Sequence, residues 1–560
     1  MSPEQILTAL ERGAMTGQGA ERSRAERRTL AEFLSEKPFG SAPINPIPQT
    51  AFCDRSANSF QDSLAGPAWN GWGVTVTNTR FQPAAGAGIS ADDVPRLKLK
   101  WAFGFPGDTT NGAQPAVVGG RVYVGSRAGD VYSLDAKTGC IHWMFETDAG
   151  IHSAVSVGKG RGGALAAYFG DLAANVYAVD AATGKLVWKA KADDFPLARV
   201  TGSPTLHNGR LYVPVSSREE GQSADPLYPC CRFRGSLVAF DAATGKRLWK
   251  TYTISQEARP TQKSRAGTQL WGPSGAAIWN SPTLDLKRNL LYVGTGNSYS
   301  LPEASTMDAI VAFDLQSGKI RWVRQLTQND VWTTACLPSA ANSANCAQED
   351  APDFDFGTSP ILVELDGGQR LLLAGQKSGL VYALDPDREG KLTWQQRAGK
   401  GGTQGGILWG PAADGDTLYV AVSDAQRAPG GYSSTAGGGM VAVNLHNGEK
   451  LWSTPHPPCG DRKPCAPVQA AAVSVIPGAV FSGSVDGHLR AYSTRDGKIL
   501  WEYDTVREFA TVNGVRAKGG SINNGGPAVA GGMLFLNSGY STHSGIIPGN
   551  VLLAFSVEGN

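Results

Sequence analysis

The chain has 560 residues with 70 glycines, 33 prolines and only 18% charged residues. That balance is too turn-rich for a helical protein and too large for one small core, and it predicts an all-β domain of unusual size. The net charge of +2 is spread thinly, without a Lys/Arg stripe that could neutralise a line of phosphates, and no run of eighteen apolar residues occurs; nucleic acid and a helical membrane span are both excluded as expectations.

From Ser2 to Lys37 apolar residues fall at helical spacing behind a Ser2-Pro3 start signal, so residues 1–38 are predicted to form a short helical segment. Its Gly13-Ala14-Met15 step between two helices is similar to the closing half of a small c-type cytochrome. No Cys-x-x-Cys-His occurs in the chain, so no haem is expected here and Met15 reads as an ordinary apolar residue. Residues 39–68 read as a linker.

The remainder, 69–560, repeats itself. Strand, Asp-Ala-x-Thr-Gly and a step into Trp recur from Asp135 to Trp143, Asp180 to Trp188, Asp241 to Trp249 and Asp314 to Trp322, with weaker copies ending at Trp394, Trp452 and Trp501. Each copy predicts a hairpin in which Asp starts the turn and Gly takes the positive-φ position. The C-terminal Val551 to Phe555 supplies the first half of an eighth copy, and Leu97-Lys-Leu-Lys-Trp101 supplies a Trp without a first half. The expectation is an eight-bladed β-propeller in which both chain ends share one blade. Each Trp is read as packing between neighbouring blades with its indole N–H bonded to the next one.

Eight cysteines stand at spacings that suit bridges: Cys230 beside Cys231, Cys336 with Cys346, and Cys459 with Cys465. Such pairing points to an oxidising compartment. The first residues carry no leader pattern, so the expectation is a periplasmic or secreted protein whose chain starts late.

The repeat resembles the tryptophan-docking motif of the pyrroloquinoline quinone (PQQ) dependent dehydrogenases, and most closely their polyvinyl alcohol dehydrogenase branch. Related propellers share the repeat without binding a quinone, so the loops must decide. In the family a Glu at a strand end and an Asn in a Gly-x-Gly-Asn turn hold a metal. Val213-Pro-Val-Ser-Ser-Arg-Glu219 and Tyr292-Val-Gly-Thr-Gly-Asn297 match those places. Oxygen donors of this kind suit Ca²⁺. The resemblance further implies Trp279 as the floor beneath the quinone, Cys230-Cys231 as a disulfide lid, and Lys377 beside the quinone oxygens. Arg199, Thr201, Ser217 and Arg218 are implied as contacts to the cofactor. The cysteine pair departs from the methanol-type enzymes by sharing the loop that follows Glu219.

Alcohol oxidation leaves a hydroxyl proton that a base must take. The family shows His-Asp-x-Trp-Asp, whereas this chain reads Asn329-Asp330-Val-Trp332-Thr333. Thr333 cannot act as a base at neutral pH. Asp330 is favoured as base and third metal ligand, Glu219 is a second option, and a catalytically dead binder is a third. Ala335 stands where a lanthanide-type site carries another Asp, so Ca²⁺ is expected. The function expected is oxidation of alcohols, polymeric or small, with a cytochrome c acceptor and with loops around Glu303 and Gly430 as the rim. A quinone-free assembly scaffold is the alternative.

Overall fold

The computed structural model describes residues 3–11, 15, 24–36, 47–54, 64–337, 344–425, 427–428, 431–433, 437–540 and 546–559. Eight antiparallel sheets of four main strands follow one another along the chain. Blade one is Ala116–Val118, Arg121–Gly125, Asp130–Asp135 and Ile141–Glu146, and the pattern repeats through blade seven, which ends with Ile499–Asp504.

Blade eight takes its three inner strands from the C-terminal part and its outermost strand, Lys98–Gly104, from the N-terminal part. Trp101 pairs with Ala554 across that seam. Closure by both ends completes the eighth blade and ties the ring shut, as the half-copies of the repeat predict.

Neighbouring blades dock through the repeat itself. The indole N–H of Trp101 donates to Ala136 O (3.1 Å), that of Trp143 to Ala181 O (3.0 Å) and that of Trp188 to Ala242 O (2.8 Å). Trp394, Trp452 and Trp501 do the same with Leu445, Thr494 and Leu97. Trp249 and Trp322 keep the packing, but their buried indole nitrogens have no partner among the described residues. Seven of the eight rings, all but Trp501, lie on the turn glycine of the next blade. Gly184, at φ +72, would place a Cβ 2.7 Å from the Trp143 ring, so only glycine satisfies both the turn and the docking.

Residues 69–82 cross the axis of the ring and hydrogen-bond the innermost strands of seven blades. Trp69 exchanges two main-chain bonds with Val117, and the Asn70 side chain two with Val157. Val76, Thr77 and Thr79 carbonyls accept from Leu284, Leu362 and Ala413; Arg80 and Gln82 pair with Val475, and the Gln82 side chain reaches Val529 O. This segment stoppers the axial channel. Fully buried Arg80 is its hub, donating to Val473 O, Trp72 O, Gln114 Oε1 and Ser474 Oγ.

All three expected disulfides form. A fourth, Cys53–Cys140, ties the stretch expected to be a linker to blade one, beside a bridge between Phe52 and Ile141. The N-terminal segment forms two helices, α1 (Pro3–Glu11) and α2 (Arg24–Ser35), packed through Ile6, Leu10 and Ala31 with Met15 against them. No described helix is long and apolar enough to cross a membrane.

Candidate functional site

In an antiparallel blade the loop from the second to the third strand and the loop leading into the next blade lie at the same end. Asn297, Asp308 and Lys377 occupy loops of the first kind, and Thr201, Trp279, Asp330, Asp353 and Asp355 occupy loops of the second. Both sets converge around Trp279.

One half of the convergence is acidic. Lys377 Nζ bonds Asp353 Oδ1 at 2.8 Å and Asp355 Oδ2 at 2.9 Å, and stands 5.6 Å from the centre of the Trp279 ring. Burial works against its charge, yet Asp353, Asp355 and Glu220 outweigh burial and raise its pKa above the ordinary lysine value. Asp353 is held well above the carboxylate range by burial, with Lys377 pulling the other way. Glu220 is pushed up to about 7, first by burial and then by the Asp355 charge. Asp308 is buried with neither carboxylate oxygen bonded among the described residues, and burial followed by the Asp330 charge raises it strongly. Its N–H donates to Gly296 O, one residue before Asn297. Asn297 gives its own N–H to Asp355 Oδ1 (2.7 Å) and its amide N–H groups to Ser298 O and Trp332 O, leaving a buried Oδ1 with no partner among the described residues.

Two of the expected acids also hold neighbouring loops in place. The Glu219 carboxylate, fully buried, accepts from Tyr228 Oη (2.9 Å) and from the N–H groups of Arg232 and Phe233 (2.9 and 2.7 Å), so it clamps the loop that carries the cysteine pair. Asp330 accepts from Asp353 N (3.0 Å) and Phe354 N (2.6 Å) and fixes the loop bearing the two aspartates. Asp330 still belongs to the acidic half, where its charge helps to raise both Asp308 and Glu220. Thr333 is buried with Oγ1 unpartnered among the described residues.

The other half is basic. Arg199 has its pKa lowered to about 9 by burial and by repulsion from Arg127 and Arg218. His152 is pushed down to about 3, chiefly by burial and then by Arg127, and so is neutral. Its Nδ1 faces Thr201 O (3.2 Å) and its Nε2 faces the Asn524 amide (3.0 Å), which assigns the proton to Nδ1. Thr201 Oγ1 meets Ser216 Oγ at 2.7 Å, Ser217 Oγ accepts from Glu219 N at 3.1 Å, and Arg218 N donates to Leu197 O.

Aromatic rings join the two halves. Trp409 meets Trp279 edge-on at 5.4 Å and lies 5.8 Å from the His152 ring. Gly357 lies directly against Trp279, with no room for a side chain. The Cys230–Cys231 disulfide sits in the loop clamped by Glu219, and Trp271 exchanges main-chain bonds with both cysteines. Glu303 accepts from the Asn329 N–H on the rim, and Gly430 lies outside the described residues.

Donor chemistry tests the implied cofactors. Among the described residues no three His, Cys, Asp or Glu side chains converge on one point, so a cation here needs oxygen donors beyond carboxylates, and the Asn297 amide oxygen is one on offer. That oxygen and the two of Asp308 are desolvated and unbonded, which is what a hard cation would relieve. Arg127, Arg199 and Arg218 form a cationic wall suited to the carboxylates of a flat acid. Both groups fit.

Arg127, Glu220, Asp308, Asp353, Asp355, His152 and Trp409 were not singled out from sequence. Arg127 had a signal: Gly125-Ser-Arg127-Ala-Gly129 and Gly375-Gln-Lys377-Ser-Gly379 occupy the same step of the repeat.

The pattern of the PQQ glucose/ethanol/alcohol dehydrogenase β-propeller domain matches residues 69–398. Over its whole length the chain is 43% identical to a polyvinylalcohol dehydrogenase from a Pseudomonas species, covering 89% of that protein. It is 42% identical, over 90% of its length and 78% of the relative, to a polyvinylalcohol dehydrogenase from Sphingopyxis sp. (strain 113P3). The solved quinohemoprotein alcohol dehydrogenase ADHIIG from Pseudomonas putida shares the fold, with a TM-score of 0.66 at 19% identity over 92% of this chain and 83% of that one.

Proposed function

The chain belongs to the PQQ-dependent glucose, ethanol and alcohol dehydrogenases, and from that premise we propose that it oxidises secondary hydroxyls on a vinyl alcohol-type carbon chain to ketones. It is a quinoprotein alcohol dehydrogenase. In this proposal it works in the periplasm or outside the cell, where its four disulfides persist, and passes electrons to a cytochrome c.

PQQ, when bound, supplies the two-electron acceptor that no side chain of this protein provides. Trp279 would lie under it, the Cys230–Cys231 pair over it, and Arg127, Arg199, Arg218 and Thr201 around its carboxylates. Asn297, Asp308 and Glu220 would hold Ca²⁺. Lys377 places a positive charge where negative charge develops on reduction. Asp355 has both oxygens committed, one to Asn297 N–H and one to Lys377, whereas Asp353 commits Oδ1 to Lys377. Asp353 is therefore the proposed acceptor of the hydroxyl proton, with Asp330 setting the position of its loop. The observation that carries this reading is Lys377, which joins the flat Trp279 to the paired aspartates.

The test is reconstitution with PQQ and Ca²⁺, followed by dye reduction with isopropanol, alongside Asp353→Asn. Loss of a proton acceptor lowers kcat by roughly 10² to 10⁴, with PQQ affinity unchanged. Turnover within tenfold of wild type would remove Asp353 from the role, and no PQQ binding by the wild type would overturn the reading.

A further inference from the structure

A cavity of about 390 Å³ opens on the flank of the cysteine lid, lined among others by Cys230, Leu270, Tyr299, Leu301, Pro302 and Asn345. Ligand pockets begin near about 300 Å³. We propose that this cavity is a second substrate subsite, one that holds the carbon backbone flanking the reacting carbinol. The proposal rests on the functional reading above.

Three observations support it. First, the cavity borders the site: Cys230 is half of the lid, and the buried Tyr299 in its wall stacks on Phe233, whose N–H Glu219 holds. Second, its walls are tied to the lid rather than loosely packed. The hairpin of Arg259–Lys263 and Gln269–Gly272 reaches the cysteines through Trp271 N to Cys230 O (2.8 Å) and Cys231 N to Trp271 O (3.3 Å). The Asn345 amide, in the loop closed by Cys336–Cys346, donates to the carbonyls of Ser223, Asp225 and Tyr228. Third, the lining is mostly apolar, with Thr261, Gln262 and Ser300 as polar side chains at its edge. An apolar slot edged by a few polar groups matches a chain that alternates CH₂ with CHOH, whereas a sugar would bury too many hydroxyls.

Leu301, 44% exposed at the rim, can be changed without opening the core. Binding of oligo(vinyl alcohol) to the full-length protein is measured by calorimetry for the wild type, Leu301→Asp and Leu301→Ala. In parallel, the PQQ-loaded proteins give the ratio of kcat/KM for the oligomer to that for isopropanol. The charged variant weakens oligomer binding about tenfold and lowers the ratio to match, and the alanine variant weakens binding about threefold. Oligomer binding within twofold of wild type in Leu301→Asp, or no binding by the wild type, overturns the subsite. If binding falls in the variant while neither alcohol is oxidised by the loaded wild type, the subsite stands and the enzymatic reading falls.

Discussion

Replacing Arg80 by Met tests whether the axial stopper is a structural hub. Arg80 is 1% exposed, and its guanidinium lies 5.2 and 4.6 Å from the Trp69 and Trp72 rings. Of its four acceptors, two have other company: Gln114 Oε1 also receives Gly526 N–H, and Ser474 Oγ also donates to Pro527 O. The carbonyls of Val473 and Trp72 are the two left bare by Arg80→Met. An unsatisfied buried carbonyl costs about 1–3 kcal/mol, and methionine fills most of the volume while sparing the desolvation of a charge. The net loss is therefore about 3 kcal/mol, which in a protein of this size lowers Tm by roughly 2–3 °C. Differential scanning calorimetry at neutral pH reads the shift. A Tm within about a degree of wild type would mean that the stopper is held by its main-chain bonds alone and that Arg80 is incidental.

Two further outcomes follow from the scaffold. His456 is pushed down to about 4 by burial, with Asp486 opposing, and is therefore neutral in the folded chain but titrates near 6.5 when unfolded. Its contribution is fully present above pH 6.5 and is lost as pH falls toward 4, about 3 kcal/mol in all. Urea unfolding between pH 7 and 4.5 will show that loss, smaller in His456→Gln, and an unchanged slope in the variant refutes it. Replacing Cys53 and Cys140 together by Ser opens a bridge with a sequence separation of 87. The loop-entropy relation puts the loss at up to about 4.6 kcal/mol, read as a lower urea midpoint under oxidising conditions, and an unchanged midpoint would show the tether to be idle.

The ring was legible because its information is local and repeated. The turn from Asp135 through Gly139 to Trp143 recurs seven times, with Asn444 and Ser493 replacing the Asp in two copies, and the two orphan halves at Trp101 and Val551 close the count. The stopper was not, since Trp69 to Gln82 has neither period nor motif, and its order comes from the strand edges it meets. At the site, Trp279, Asn297, Lys377 and the cysteine pair could be placed along the chain, but not the bonds their acidic neighbours make. Glu219 and Glu220 are neighbours in a four-residue helical turn, yet Glu219 clamps Arg232 while Glu220 feels the charges of Asp355 and Lys377. Asp353 and Asp355 lie beyond an inserted loop from Asp330, and only the fold returns them to Asn297. Cys53 and Cys140, far apart in sequence, carried no spacing signal.

A ring closed at one end is a well and not a pipe. With residues 69–82 bonded across its base, a long polymer cannot be threaded through the axis and cut or oxidised in passing. An end or a bent loop of the chain has to dip in from the rim and withdraw by the way it came. On the proposed polymeric substrate each dip would expose a few carbinols and then reset, giving a scattered rather than a sequential order of attack.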